Sequence, residues 1–462
     1  MSIQCVFSRL GMNESNKLIL NLLIIADIII TLFCFSAISS VNTRIRPIIF
    51  IPVVYTLLSI FFKQKIKLEG PGSVVLLFIL FFRYSITPLV IIVTNELNLI
   101  ANNYNYITES VYVMLFEMIA IFIFMAVISL KPHIYSIEYK FISNKLTLII
   151  ALSSIFALSF TGIVQVGNFS LLNEESLEED GEFGEGNSGI IGIIWQAFLT
   201  LLYIYTLLRI KKYDGVFAPY LSFICCLLYL VILFFGQSSI SRWYTIVTLL
   251  ASMAILYRYY PKSKLSLSLC VGIPSVFALI LATILKNTIV GLDASYTDII
   301  SGIFNSTNMD TYFAGPVCIN NAIGAMEKTG VGFNSIFYDL FNNFPLLSHE
   351  INRNLASVNV YNHFLGRYDQ ILPLAGQSFI WFGFLFTPIL SLLSVLMVKK
   401  MDIYFIQSKG VFSYLFAFFS VWCAIMPVLN LTIWLSWIYS RIIPAAVIVG
   451  MLSKKSNRLL KY

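Results

Sequence analysis

Apolar residues occur along the chain in blocks of about 20, separated by short polar connections. An α-helix needs about 20 mostly apolar residues to cross ~30 Å of hydrocarbon, whereas a membrane β-barrel would show alternation with a period of two. The blocks therefore predict an all-α polytopic membrane protein with about twelve transmembrane helices. The predicted spans are 18–38, 46–62, 73–94, 110–129, 146–166, 189–208, 218–236, 241–257, 265–285, 375–398, 411–429 and 432–452.

Composition agrees with this prediction. Of the 462 residues, 58% are hydrophobic and 11% are charged, whereas soluble domains are about a quarter charged. The net charge of +7 does not indicate nucleic-acid binding, because the basic residues form short clusters between the apolar blocks. The seven cysteines include no CxxC pair and mostly lie within predicted spans, so neither a disulfide framework nor a metal site is expected.

Basic residues alternate between successive connections. On one side of the predicted bundle lie 21 of the 30 lysines and arginines, for example Lys63, Lys65 and Lys67. The positive-inside rule makes this side the cytoplasm. Both termini are then expected to be cytoplasmic, which requires an even number of spans.

Two connections on the opposite, non-cytoplasmic side are unusual. Residues 167–188 contain seven acids interleaved with glycines, typical of a flexible solvated loop; a cation-binding or lid role is the alternative. Residues 286–374 form a connection of nearly 90 residues that is too apolar for disorder. Helices are predicted from Thr311 to Thr329 and from Ser335 to Phe341, and the second is amphipathic and suits the membrane interface.

The chain thus divides into three parts. Residues 1–285 contain nine predicted spans, residues 286–374 form the long periplasmic loop, and residues 375–462 contain three spans and a basic cytoplasmic tail. The long loop is expected to carry the catalytic or acceptor-binding region.

Two arginines, Arg83 and Arg441, lie inside predicted spans. A guanidinium in hydrocarbon costs at least ~2.5–3.5 kcal/mol, so each should face the bundle interior or a wet cavity. Arg83 either pairs with Asp27 or Glu117 and locks helices together, or binds an anion through its planar set of donors. The sequence leaves both roles open.

Further candidates lie on the periplasmic side. Arg242, at the outer end of a span, either snorkels to water or binds substrate. In the long loop, His363 is a candidate proton carrier or a hydrogen-bonded packing residue, and it lies near Arg353 and Arg367 in the sequence. Asp310 and Glu350 are candidate carboxylates for acid–base work, or solvated loop acids.

Several motifs of soluble chemistry are absent. The sequence contains no Walker A loop, no HExxH, no GxSxG and no Asp-x-Asp pair of the kind that nucleotide-sugar transferases use. A protein with an outward site and no such machinery should act on a substrate that has already crossed the membrane. A lipid carrier is the expected route of delivery.

Four short segments carry a resemblance to a known family. They are Arg83 before Pro88, Gly236-Gln-Ser-Ser-Ile-Ser-Arg242, Tyr312-Phe-Ala-Gly-Pro316, and Leu372-Pro-Leu-Ala-Gly-Gln-Ser-Phe-Ile-Trp-Phe-Gly383. Together with the architecture, they resemble the Wzy-type oligosaccharide repeat-unit polymerases of bacterial O-antigen and capsule pathways, most clearly over residues 236–390. Gln377 stands where that family often has an acid.

The resemblance implies transfer of a growing glycan from one undecaprenyl pyrophosphate to the non-reducing end of a lipid-linked repeat unit. The reaction would occur at the periplasmic face of the bacterial inner membrane, without cofactor, metal or nucleic acid. The resemblance implies that the lipid-linked donor and acceptor are the partners, and it allows a chain-length regulator protein as a further one. Under this interpretation Arg83, Arg242, Arg353 and Arg441 bind the pyrophosphate, and the catalytic set is Arg242, His363 and Arg367.

Three alternatives remain open. A flippase for lipid-linked oligosaccharides also has about twelve spans, although its connections should be short. An O-antigen ligase shares the lipid substrate and the outward loop. A proton- or sodium-coupled carrier would need intramembrane carboxylates, for which Asp27 and Glu117 are the predicted candidates.

Overall fold

The computed structural model of the chain is almost entirely helical and contains five helices long and apolar enough to cross a membrane. These are Asn16–Ser36, Pro71–Thr94, Ile107–Val127, Phe384–Gln407 and Val411–Val428. Three shorter apolar helices accompany them: Arg46–Phe62, Ala218–Ile232 and Ile246–Tyr259. The structure describes residues 12–66, 68–97, 106–128, 138–141, 188–213, 215–235, 242–268, 305–341, 352–366, 371–444, 446–447 and 453–456.

The described α-helices are numbered along the chain. They are α1 Met12–Ser36, α2 Phe50–Phe62, α3 Pro71–Phe81, α4 Thr87–Thr94, α5 Ile107–Val127, α6 Ser188–Tyr213, α7 Ala218–Phe235, α8 Arg242–Tyr259, α9 Ser306–Phe313, α10 Pro316–Thr329, α11 Ser335–Phe341, α12 Ser357–Leu365, α13 Leu374–Phe382, α14 Ile389–Gln407, α15 Val411–Ala424 and α16 Leu431–Trp437. Two short strands, β1 Glu138–Phe141 and β2 Ser453–Ser456, pair antiparallel. Apart from this short ribbon, the described elements are helical, as the sequence predicts.

Predicted and observed spans agree best where the apolar block is uninterrupted. The predicted spans 73–94, 110–129 and 411–429 match observed helices to within a few residues. The predicted span 375–398 begins too early, because the chain turns at Gly383, whose φ of +73° ends α13 before the membrane helix begins. The predicted span 146–166, most of 265–285 and nearly all of the acidic loop lie outside the described residues.

The long loop contains more helices than predicted. Its predicted helix from Thr311 to Thr329 is divided into α9 and α10, because Ala314 adopts a left-handed conformation and Pro316 starts a new helix. The predicted end before Gly330 is confirmed, with φ of +67° at that glycine, and α11 has the predicted bounds. Glycine tolerates this left-handed helix end without the cost that a Cβ would impose.

The loop helices pack on the end of the bundle where α4 finishes and α5 begins. Just before α5, the backbone N–H of Tyr106 donates to Asn320 Oδ1 of α10 at 2.6 Å, and the Tyr106 hydroxyl bonds to Glu327. Gln377 of α13 is fully buried; its amide nitrogen donates to Ser357 Oγ at 3.2 Å and its oxygen accepts from the Leu431 N–H at 2.7 Å. One amide thus supplies both a donor and an acceptor, which a carboxylate at this position would not do.

A carboxylate from a distant helix holds the start of α3. Asp402 of α14 is fully buried and accepts from the backbone N–H groups of Gly72 and Ser73, at 3.0 and 2.8 Å, and from the hydroxyls of Ser73 and Ser420, both at 2.5 Å. The first N–H groups of a helix have no partner within it, so Asp402 replaces a local cap. A Cβ on Gly70 would lie 2.6 Å from the Asp402 carboxyl carbon, so glycine leaves room for this approach.

Replacing Asp402 with Ala is expected to lower the free energy of unfolding by about 2–4 kcal/mol, because several buried donors lose their acceptor. The measurement is the thermal unfolding of purified protein in detergent. Lys400→Ala is the matched control, since Lys400 lies on the same helix and is exposed. Equal unfolding temperatures for the two variants would contradict the structural role of Asp402.

Candidate functional site

The span formed by α3 and α4 contains a π-helical turn, Phe82–Ile86, near its middle. Pro88 follows this turn and has no backbone N–H, and the N–H of Thr87 bonds to the carbonyl of Phe82, five residues back. The proline accounts for the wide turn, because it removes one of the regular bonds of the α-helix. The buried polar side chains that the turn presents are Arg83, Tyr84 and Ser85.

A second π turn with the same sequence pattern, a proline two residues after its end, follows α16. It covers Ile438–Ile442, and Pro444 stands at the same distance from its end as Pro88 does from the first. Each turn contains an arginine, a tyrosine and a serine, the arginines being Arg83 and Arg441. Both arginines that the sequence placed inside spans therefore lie on irregular backbone, of a kind that frequently occurs at functional sites.

Arg83 lies at the centre of a buried polar cluster. Its guanidinium forms an ion pair with Glu117 of α5, with Nη2 2.7 Å from Oε2 and Nη1 3.2 Å from Oε1. The same carboxylate accepts from the hydroxyls of Tyr84, at 3.0 Å, and Ser391 of α14, at 2.5 Å. Arg83 Nη1 also donates to the carbonyl of Pro427 at 2.8 Å. The cluster joins the π turn, α5, α14 and the segment after α15.

Of the two roles that the sequence left open for Arg83, the structure contains the ion pair, and the partner is Glu117. Asp27, the other predicted partner, instead accepts from Thr56 Oγ1 at 2.7 Å and bonds to Ser85. The Arg83 side chain is fully enclosed. In this conformation it contacts protein groups, and a direct contact with pyrophosphate would require the cluster to open.

Asp310 of α9 lies where the long loop meets α4. Its side chain is only 3% exposed, and its two oxygens accept from the backbone N–H groups of Val317 and Cys318 at the start of α10, at 3.0 and 2.8 Å. A Cβ on Gly315 would collide with this carboxylate. The arrangement repeats the one at α3: a Gly-Pro pair starts a helix, and a buried aspartate caps it.

Burial raises the pKa of Asp310 to about 6. The N–H groups of Val317 and Cys318 and the charge of Arg83 favour the ionised form but do not cancel the effect of burial. Such a carboxyl group exchanges its proton close to neutral pH. This property suits general acid–base work, the role for which the sequence made Asp310 a candidate.

A small pocket lies beside Asp310, at the junction of α4 with the loop helices; its cavity volume is about 20 Å³, room for a water molecule or two. Two of its lining residues are acids, Glu96 and Asp310, and none is basic. The full lining is Ile91, Glu96, Ser306, Thr307, Asp310, Thr311, Val317, Cys318, Asn321 and Tyr361.

The structure describes the other predicted site residues only in part. His363 is exposed on α12, Arg242 begins α8, Arg353 begins the 3₁₀ turn Arg353–Leu355, and Arg441 lies in the second π turn. The side chains of these three arginines, and the whole of Arg367, lie outside the described part of the chain, as does Glu350. Their roles stay predictions.

Two buried carboxylates, Asp402 and Asp339, were not predicted from the sequence. Asp339 of α11 accepts from the Trp381 indole N–H at 2.9 Å, and burial raises its pKa. Asp402 was missed because the predicted span ended at 398. One signal was present: α3 begins Gly-Pro-Gly, which offers no local capping side chain.

No family model, curated protein or solved structure matches this chain. What the site can do therefore follows from its own contacts and charges. The described residues give two features on one span, a closed ion-pair cluster inside the bundle and an acidic pocket at the end.

Replacing Arg83 with Met is expected to destabilise the protein by about 3–5 kcal/mol, because the Glu117 carboxylate stays buried without its counter-charge. Replacing Glu117 with Gln as well should restore part of this loss, since neither charge then remains. Thermal unfolding in detergent of the two single variants and the double variant measures the coupling. Arg209→Met, which removes an exposed arginine from α6, should change the free energy of unfolding by roughly 0.5 kcal/mol or less. Strictly additive losses from Arg83 and Glu117 would contradict the pairing.

Proposed function

We propose that this protein is a multi-pass enzyme of the bacterial inner membrane that polymerises lipid-linked oligosaccharide repeat units into O-antigen or capsular polysaccharide. The observation that carries the proposal is the folded loop whose helices pack on one end of the bundle, where the candidate span Pro71–Thr94 ends and α5 begins. If the candidate spans cross the membrane, a site at that position would lie at the membrane surface, within reach of both the lipid and the aqueous side. A substrate with a lipid anchor and a glycan head group needs access of this kind.

In the proposed topology twelve spans cross the membrane, both termini are cytoplasmic and the pocket faces the periplasm. The pairing of β1 with β2 supports it, because the connection after α5 and the C-terminal tail must lie on one side. Both segments are rich in lysine, as expected of cytoplasmic segments. The loop helices contact the bundle where α4 ends and α5 begins, which under this topology is the periplasmic end.

The donor would bind through its pyrophosphate to Arg242, Arg353 and Arg441. Each arginine offers a planar fork of donors and keeps its charge at any accessible pH. Charge that develops on the leaving phosphate oxygen would be offset by these groups, an effect worth about 3–4 kcal/mol per well-placed donor. We assign Arg83 a supporting role, because it holds the π turn to Glu117. His363 and Arg367 would position the acceptor or move its proton.

A second candidate function, that of a proton-coupled carrier, is favoured by Asp27. This fully buried carboxyl group of α1 has hydroxyl partners, Thr56 and Ser85, and Thr56 is in turn 2.7 Å from Thr31. None of these described partners carries a positive charge. A buried carboxyl group without a counter-charge is the kind of group that binds and releases protons in membrane carriers.

Deleting the gene is expected to leave surface glycan with a single repeat unit, because units would still be flipped and ligated without being joined. Gel electrophoresis of the surface glycan measures this. Complete loss of the glycan would indicate a flippase instead. Polymer that remains on its lipid carrier would indicate a ligase.

Purified protein in liposomes is expected to convert lipid-linked repeat units into polymer without nucleotide or metal. Arg242→Ala, Arg353→Ala and Arg441→Ala should each reduce the rate by roughly 10²-fold or more, the size of effect seen when one charge-stabilising donor is removed. Lys328→Ala is the control, since this cation rests against the Phe364 ring.

Asp27→Asn separates the two candidate functions. The polymerase should tolerate this substitution, because the amide has nearly the shape of the carboxyl group and the hydroxyl of Thr56 or Ser85 can turn to accept from its NH2 group. A proton-coupled carrier should lose proton-driven uptake of its solute into vesicles. The proposed polymerase mechanism gives Asp27 no part in the reaction. If folded Asp27→Asn protein forms no polymer, that mechanism is wrong.

A further inference from the structure

Helix α11 of the long loop has an inverted distribution of side chains. Ser335 and Asp339, which lie one turn apart on one face, are buried, whereas Phe337 on the opposite face is 58% exposed. A helix whose outer face meets water has the reverse pattern, with polar side chains outside and apolar side chains against the core. The pattern of α11 therefore indicates apolar surroundings on its outer face.

Hydrogen bonds fix the buried face of α11 in this orientation. Asp339 accepts from the indole N–H of Trp381 at 2.9 Å, and the hydroxyl of Ser335 donates to the carbonyl of Gly332 at 2.8 Å. A rotation that turned Phe337 inward would break the bond to Trp381 and leave two buried polar groups without it. The outward position of Phe337 is therefore a property of the fold.

The exposed apolar side chains of the loop gather around α11. In the described part of the loop, three large apolar side chains are exposed: Phe333, at 66%, Phe337 and Leu355. Phe333 lies two residues before α11, and the 3₁₀ turn that contains Leu355 packs against this helix. The exposed residues of α10 and α12 are polar. An apolar patch confined to one element, with polar surface on its neighbours, marks a place of contact with a protein or a membrane.

The position of this patch decides between these two partners. The ring of Phe333 packs against the ring of Phe382 with centroids 6.0 Å apart. Phe382 ends α13, and the candidate span Phe384–Gln407 begins two residues later. The first three residues of that span are large and apolar and are between 47% and 67% exposed. The patch around α11 thus continues the surface that this span would present to lipid.

We propose that α11 lies in the membrane interface, with Phe333 and Phe337 among the acyl chains of the phospholipids beside the span Phe384–Gln407. The inference rests on the membrane placement that the proposed function includes, and not on polymerisation itself. Aromatic side chains are enriched at this level of a bilayer, and interfacial helices bury their apolar face about 5–10 Å deep.

This placement has a consequence for a lipid-linked substrate. With α11 held among lipids, the loop helices that pack on the end of the bundle stay at the membrane surface. A glycan whose carrier lipid is embedded in the same leaflet would then meet the loop in the head-group layer, close to its own attachment point.

The test uses full-length Phe337→Trp protein in phosphatidylcholine liposomes whose acyl chains carry bromine, which quenches tryptophan emission on contact. The emission of the six native tryptophans is subtracted with wild-type protein. We expect the added emission to be lost when the bromine lies near the head groups, and to be less affected when it lies at the chain ends. Iodide in the water should leave this emission nearly unchanged.

Lys328→Trp is the matched control. Lys328 is an exposed residue of α10 in the same loop, and both substitutions replace exposed side chains, so both proteins should fold. The emission added by Lys328→Trp should be quenched by iodide and not by brominated lipid. Equal quenching of both variants by brominated lipid would overturn the inference, because contact with lipid would then not belong to α11.

Two further results would also overturn it. Quenching of Phe337→Trp by iodide alone would place the patch in water, and quenching by neither agent would mean that a second copy of the chain or another protein covers it. Phe333→Trp provides the same measurement if Phe337→Trp does not fold. Polymer formation by wild-type protein in the same liposomes is a separate readout. Its absence would refute the proposed function and not the lipid contact, whereas polymer formation with Phe337→Trp unquenched by lipid would refute the lipid contact alone.

Discussion

The ion pair between Arg83 and Glu117 fixes how the described membrane helices meet. Either charge alone in an apolar interior costs several kcal/mol, so the two must stay together and their remaining hydrogen-bonding capacity must be met nearby. Tyr84, Ser391 and the carbonyl of Pro427 meet much of it. Because these groups come from separate elements, the cluster holds the π turn, α5, α14 and the segment after α15 together.

The position of the pocket depends on this cluster. The π turn that carries Arg83 continues directly into α4, whose end forms one wall of the pocket. Thr87, the first residue after the turn, contacts the loop at Met309. The interior charge pair and the surface pocket are therefore two ends of one rigid piece of chain. In the proposed enzyme, Arg83 would serve the reaction by holding this piece in place.

The sequence predicted what depends on local pattern. Apolar blocks predicted the five helices that are long and apolar enough to cross a membrane, although one begins later than predicted. Gly330 marked a helix end, and the cost of burying a guanidinium pointed to Glu117 as one of two partners for Arg83. The misses depend on distant contacts or on single residues within apolar blocks. Asp402 caps a helix 330 residues away, and the break at Gly383 leaves hydropathy unchanged. Pro316 was a readable break within the predicted Thr311–Thr329 helix, and Pro88 and Pro444, two residues after the π turns, were equally readable.

The hydrogen bonds between Asp402 and the start of α3 also bear on the order in which the protein is assembled. The third apolar segment leaves the ribosome with its leading N–H groups uncapped, and the aspartate that satisfies them is made 330 residues later. At about 5–20 residues per second, that interval is roughly 15–65 s. Newly inserted N-terminal segments must wait in the membrane in an unfinished state. Final closure of the bundle thus belongs to the last stage of synthesis, when the C-terminal helices arrive and lock those already in place.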